Sequence, residues 1–176
     1  MGLDISAYRQ LKLLKTRETE DGYVVDVTTG ERLENYCYVF IEEGFEDRAE
    51  DLVNRAYYAY GDSMGFRAGG YSGYSDWRET LARIAGYPQV QYSGFRGVEL
   101  RHDAAAWNAT HGPFWELINF SDCEGTLGAA VAAKLVRDFQ AYRPQAEAEG
   151  GSFLEKYLRW EQAFVMAADG GAVRFH

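Results

Sequence analysis

The chain has 176 residues, of which 47% are hydrophobic and 26% charged, and its formal net charge is −9 at pH 7. This composition excludes an intrinsically disordered chain, and the length is typical of one domain, so we predict a single domain spanning residues 1–176. The acidic charge repels phosphate backbones and anionic lipid headgroups, so we expect neither direct nucleic-acid binding nor membrane binding.

The first quarter of the chain has the sequence pattern of β-strands. Apolar and polar residues alternate in residues 3–13, and β-branched or aromatic residues are dense in residues 23–29 and 36–41. The pair Asp21-Gly22 is a turn signal between the first two of these segments. The N-terminal region is therefore predicted to be an antiparallel β-meander.

The middle of the chain is predicted to alternate between helix and loop. Residues 46–60 have apolar side chains at helical spacing and acidic residues in the first turn, which favours a helix. Residues 65–73 are rich in glycine and are predicted to form a loop, and Ser75 is expected to cap a short helix that ends at Ala85. Residues 89–112 have no regular period and are predicted to be irregular.

Helices are predicted to dominate the last third of the chain. Residues 114–120 have the character of a strand, and residues 121–125 have that of a turn. A helix is predicted from Leu127 to Tyr142, and another begins at Ser152, which has capping-box spacing to an acidic residue. With strands early and helices late, the predicted fold class is α+β.

The segment most informative about function spans residues 66–101. It has five arginines, no lysine and three acidic residues, so it is a positive region in an acidic chain. Arginine can bind phosphate or carboxylate groups through two hydrogen bonds, glycines let backbone N–H groups approach an anion, and tyrosine rings can stack on planar ligands. Alternatively, the glycines only form turns and the arginines pair with nearby acids. The candidate ligand-binding residues in this segment are Arg67, Tyr71, Ser72, Tyr74 and Arg78.

A second polar cluster lies at the predicted strand-to-helix junction. Its candidate ligand-binding residues are Asn119, Ser121, Asp122 and Glu124. The two carboxylates could bind Mg²⁺ or act as an acid and a base, whereas Ser121 with Glu124 also has the spacing of a capping box that is only structural.

Several other kinds of site are disfavoured by the sequence. There is no phosphate-loop, Rossmann, GxSxG or HExxH motif, and the three histidines have no recognised metal-ligand spacing, so we expect no cofactor and no bound metal. Cys37 and Cys123 are far apart in the sequence, which leaves both buried thiols and a disulfide possible. The N-terminus has no signal-peptide pattern, which predicts a cytoplasmic protein.

Three segments carry a resemblance to a known family. They are Gly-Leu-Asp-Ile-Ser-Ala-Tyr at residues 2–8, Phe-Arg-Ala-Gly-Gly-Tyr-Ser-Gly-Tyr at residues 66–74 with Trp77-Arg78, and Phe-Trp-Glu-Leu-Ile-Asn-Phe-Ser-Asp-Cys-Glu-Gly at residues 114–125. In these segments the chain resembles a family of small, largely uncharacterised proteins encoded by phages and prophages. The resemblance implies the cytoplasm of a bacterial host cell and assigns no catalytic residue.

Three hypotheses for the function follow. The first is a non-catalytic binding protein that captures a small anionic molecule, such as a host defence nucleotide, in a pocket lined by Arg, Tyr and Gly. The second is an acidic inhibitor of a host defence complex that mimics nucleic acid on a basic protein surface. The third is a hydrolase that uses Asp122 and Glu124. For the first, we expect residues 66–78 and 119–125 to form opposite walls of one site, with the arginines of one segment paired to the acids of the other.

Overall fold

The computed structural model describes residues 2–94, 97–120 and 124–176. Its strands are β1 (Leu3–Arg9), β2 (Lys12–Leu13), β3 (Thr16–Glu18), β4 (Val24–Asp26), β5 (Cys37–Val39), β6 (Ala56–Ala59), β7 (Asp62–Gly69), β8 (Val90–Gly94), β9 (Gly97–Arg101), β10 (Gly125–Gly128) and β11 (Ala172–Phe175). Its α-helices are α1 (Tyr71–Ile84), α2 (Asp103–Trp107), α3 (Trp115–Ile118), α4 (Ala129–Ala141), α5 (Arg143–Glu149) and α6 (Gly151–Ala167). Antiparallel strands come first and most helices lie in the C-terminal half, so the predicted α+β class is confirmed.

A four-stranded antiparallel sheet in the order β10-β11-β1-β7 is the centre of the fold. Along β1, the side chains of Leu3, Ile5 and Ala7 are buried on one face, which we call the inner face. Since successive side chains of a strand point to opposite faces, Asp4 and Ser6 lie on the other, outer face.

The inner face is covered by α1, α4 and α6, which close the main hydrophobic core. Aromatic rings fill its centre: Trp160 stacks on Tyr74, Trp77 and Phe164, and its ring lies 5.5 Å from that of Phe175. Among the described residues, no helix combines the length and the apolar character needed to cross a membrane.

A smaller sheet, in the order β2-β6-β5, packs over part of the outer face. A second apolar cluster joins the two sheets and consists of Tyr8, Cys37, Val39 and Tyr58. The Thr126 hydroxyl of β10 accepts a hydrogen bond from the Phe40 N–H at 3.3 Å, which ties the end of the small sheet to the large one. The outer face is therefore covered at one end and open at the other, where Asp4 lies.

The helix predicted over residues 46–60 is wrong. A single 3₁₀ turn, Glu46–Arg48, is followed by loop and then by β6. Arg55 has φ of +56°, which is incompatible with a continuous α-helix, and Tyr57 and Tyr58 pair with β5. Strand pairing with a distant segment therefore overrides the local helical spacing.

The glycine-rich loop predicted over residues 65–73 is also wrong. Residues 62–69 form β7, in which Met64, Phe66 and Ala68 face the inner side, and α1 begins directly after the N-cap Gly70. Glycines at the outer positions hide this alternation in the sequence, because glycine carries no apolar or polar side chain.

The segment 114–120 contains the short helix α3 rather than the predicted strand. Phe114 begins it in the left-handed conformation, with φ of +53°, and its N–H donates to the Asp138 carboxylate at 2.7 Å. Asp138 also pairs with Lys134 at 2.8 Å, so α4 holds the start of α3.

Three further boundaries differ from the prediction. The segment 89–112, predicted to be irregular, contains the hairpin β8–β9 and α2. The helix predicted from Leu127 is preceded by β10 and begins at Ala129. The last helix begins at Gly151, and the Ser152 side chain does not cap it.

Candidate functional site

Three of the residues predicted to bind a ligand hold the fold together instead. Tyr74 is completely buried between Trp77 and Trp160, so it belongs to the core and presents no surface to a ligand. The Arg78 guanidinium donates hydrogen bonds to the carbonyls of Phe120 at 2.9 Å and Ile118 at 3.4 Å. Ile118 is the last residue of α3 and Phe120 lies two residues beyond it, so Arg78 completes the hydrogen bonding of that helix end.

The Asn119 side chain has a similar structural role. Its amide donates to the carbonyls of Ala106 at 3.1 Å and Trp115 at 3.0 Å, which joins α2 to α3. The amide N–H groups are thereby engaged with backbone carbonyls.

The first turn of α1 carries Tyr71, which is 39% exposed, and Ser72. Ser72 lines a hollow of about 260 Å³ together with Glu99 and Arg101 of the hairpin. The Arg101 guanidinium is already bound to the Asp103 carboxylate at 2.6 Å and lies 3.8 Å from that of Glu99. Because Arg101 is neutralised by these carboxylates, it is poorly suited to binding an anion in this hollow.

The predicted contact between residues 66–78 and 119–125 is made by Arg78, through the Phe120 carbonyl. Arg67 does not take part in it: its guanidinium lies 3.7 Å from the Asp4 carboxylate on the open end of the outer face. Ser121 and Asp122 lie outside the described residues. The two segments therefore meet through Arg78 and Phe120, the predicted pairing with Asp122 falls outside the described residues, and Arg67 faces a different part of the molecule.

Strand register brings Arg67 to a polar cluster that the sequence reasoning did not assemble. Asp4 is directly opposite Arg67 of β7, and Ser6 is directly opposite Arg174 of β11. Directly paired residues share a face, so all four side chains lie on the outer face. His176 and Glu124, which lie one position beyond the ends of β11 and β10, complete the row that contains Asp4. We call this set the outer-face cluster: Asp4, Ser6, Arg67, Glu124, Arg174 and His176.

A serine–histidine contact lies at the centre of the outer-face cluster. The Ser6 hydroxyl and Nε2 of His176 are 3.0 Å apart, and the His176 N–H donates to the Asp4 carbonyl at 3.0 Å. Burial lowers the pKa of His176, and the positive charge of Arg174 lowers it further, whereas Asp4 and Glu124 act in the opposite direction. The neutral imidazole is therefore favoured near pH 7.

Arg174 is the cation closest to this contact. Its guanidinium lies 5.6 Å from the ring centre of Tyr38, a distance compatible with a cation–π interaction. Tyr38 contacts Tyr57, which in turn contacts Tyr36, each pair with ring centres 5.0 Å apart. Within the part of the chain that the structure describes, no carboxylate forms an ion pair with Arg174. A half-buried cation is thus available beside a serine hydroxyl, an imidazole and a group of aromatic rings.

Cys37 is the first residue of β5 in the small sheet and is a buried free thiol. Burial raises its pKa to about 12, so the reactive thiolate is disfavoured. Cys123 lies outside the described residues.

Residues 2–94, 97–120 and 124–176 contain no group of three or more His, Cys, Asp or Glu side chains that could hold a metal ion.

Four members of the outer-face cluster were not among the predicted site residues: Asp4, Ser6, Arg174 and His176. The sequence signal that could have indicated them is the alternation in β1 and β11. Asp4 and Ser6 alternate with buried residues, as Arg174 and His176 do around Phe175.

Comparisons with protein-family models, curated proteins and solved structures give no match to this chain.

Proposed function

We propose that the protein binds a small anionic molecule of the nucleotide class at the outer-face cluster, without catalysis. The observation that carries this is the half-buried Arg174, which has no carboxylate partner among the described residues and lies opposite Ser6 in the sheet. Guanidinium and hydroxyl groups are donors suited to phosphate oxygens.

Arg67 is a second cation for the same ligand. From strand spacing and rise, its Cβ is about 12 Å from that of Arg174, on the other side of β1. Arg67 is exposed and paired with Asp4 at 3.7 Å, so an anion competes with that carboxylate for it. We therefore expect Arg174 to contribute most of the affinity and Arg67 to contribute less.

The aromatic rings beside Arg174 support a ligand that has both a phosphate and a planar ring. Tyr36, Tyr38 and Tyr57 form a chain of ring contacts that begins at the Arg174 guanidinium, and Tyr36 is 37% exposed. A nucleobase can stack on such a ring while its phosphate is bound by the arginine. In line with the resemblance to phage-encoded proteins, we propose that the ligand is a host defence nucleotide in the bacterial cytoplasm.

Isothermal titration with a panel of linear and cyclic nucleotides tests this proposal. We expect at least one nucleotide to bind, Arg174→Gln to weaken that binding at least tenfold, and Arg67→Gln to weaken it by up to about fivefold, as for an exposed ion pair. Arg17→Gln, an exposed arginine on β3, is the matched control and should bind like the wild type.

Absence of binding by every nucleotide in the panel would contradict the proposal. If the protein instead captures a host protein and salt weakens that binding, the acidic-inhibitor hypothesis is favoured. The reason is that the −9 charge of this chain attracts a basic partner through long-range electrostatics, which salt screens.

A further inference from the structure

A groove of about 700 Å³ lies at the C-terminal half of α6, away from the outer-face cluster. Its apolar lining comes from Met64 of β7 and from Leu158, Val165 and Met166 of α6. Val165 is 51% exposed, although its neighbour Phe164 is fully buried. Helix α6 therefore presents apolar surface to solvent at the groove.

The charged residues that line the groove are already engaged with neighbours. Arg143 is paired with Glu161, which also lines the groove. The Asp169 carboxylate accepts a hydrogen bond from the Gln10 amide at 3.0 Å, and Arg9 lies 3.7 Å from Asp62. Two basic and two acidic side chains line the groove, so their formal charges cancel although the whole chain carries −9.

We propose that this groove binds an uncharged, mainly apolar small molecule. Its volume falls within the range of roughly 300–1,000 Å³ that small-molecule sites occupy, and its four apolar side chains offer a contact surface between polar groups that are already engaged. A charged ligand would have to compete with Glu161 for Arg143, with Asp62 for Arg9 or with Gln10 for Asp169, whereas an uncharged one leaves these contacts intact. The two methionines can adjust their shape to the ligand, because their side chains are unbranched and flexible.

This site is independent of the proposed nucleotide site. Met64 lies on the inner face of β7, whereas Arg67 lies on the outer face of the same strand. The sheet separates the two sites, so a ligand can occupy either without contacting the other.

Titration with Nile red, an uncharged apolar dye, tests the groove directly. We expect its fluorescence to increase on binding to the wild type, and Val165→Asp to weaken the binding at least fivefold because it places a charge beside the apolar ligand. Val53→Asp is the matched control, since Val53 is 54% exposed and does not line the groove. It should bind the dye like the wild type.

Methyl signals of Met64 and Met166 in a ¹³C-methionine NMR spectrum give a second readout that also reports folding. We expect both signals to shift on addition of Nile red to the wild type. Failure of the wild type to bind the dye, or equal weakening by both aspartate variants, would overturn the proposal. Tighter binding of the anionic dye 1-anilinonaphthalene-8-sulfonate than of Nile red would overturn the assignment to an uncharged ligand.

Discussion

His176 is held against β1 by its backbone N–H and by its ring, which contact Asp4 and Ser6. Its lowered pKa has a functional consequence if a phosphate is bound beside it. A nearby anion favours the imidazolium, so the pKa of His176 should rise on binding and a proton should be taken up. Affinity should therefore increase as the pH falls through the pKa of the bound state, and should level off below the lower pKa of the free state.

Titration of a cyclic nucleotide between pH 8 and about pH 5 measures this effect, because a phosphodiester does not titrate there as a phosphate monoester does. The charged groups that face His176 are Arg174, Asp4 and Glu124. Replacing His176 with Gln should remove most of the pH dependence. The same replacement at the exposed His111 should leave it unchanged, and an equal effect of both variants would contradict the assignment.

Helix α1 shows how one element can carry arginines with different tasks. Arg78 is half-buried and donates to the carbonyls at the end of α3, whereas Arg83 forms an exposed ion pair with Glu149 at 2.6 Å. Both lie in the segment whose positive charge indicated a ligand. Arg78 attaches α1 to α3. The positive charge of the segment is therefore a poor guide to ligand binding.

Comparing two variants of α1 separates these tasks. Arg78→Met should lower the free energy of unfolding by about 1–3 kcal/mol, because it leaves buried carbonyls without a donor. Arg83→Met on the same helix should change it by less than about 1 kcal/mol, as expected for an exposed pair. Chemical denaturation gives both values. A stable Arg78→Met variant with weakened nucleotide binding would return Arg78 to the ligand site.

At the scale of the whole molecule, the α+β class could be predicted because strand alternation and helical spacing are local signals. The secondary structure of residues 46–60 could not be predicted, because Tyr57 and Tyr58 become part of a strand only by pairing with β5. The candidate site likewise has one part that the sequence indicates and one that it does not. Arg67 could be proposed from the composition around it, whereas Arg174 comes near it only through the strand order β11-β1-β7. Short-range patterns therefore indicate residue types suited to a ligand but not which of them meet.

Phe175 joins distant parts of the chain within the main hydrophobic core. It is 1% exposed, and its ring contacts those of Phe120, Trp160 and Tyr74, which belong to three separate parts of the chain. Phe175→Ala should lower the free energy of unfolding by about 3–5 kcal/mol. Phe175→Leu, which fills more of the space, should cost less, and Tyr23→Ala at an exposed ring should cost less than about 1 kcal/mol. Denaturant titration would contradict this if Phe175→Ala and Tyr23→Ala were equally stable.

The position of β11 between β10 and β1 also bears on how the protein forms as it is synthesised. β1 is made first, yet one of its two neighbours is made only after residue 171, so one edge of β1 stays without its partner until then. At roughly 5–20 residues per second, this delay lasts about ten seconds or more on the ribosome. During it, an apolar strand with an open edge can pair with other chains, and the charge of Asp4 on this strand opposes such pairing. A residue of the candidate ligand site would thus also limit aggregation of the nascent chain.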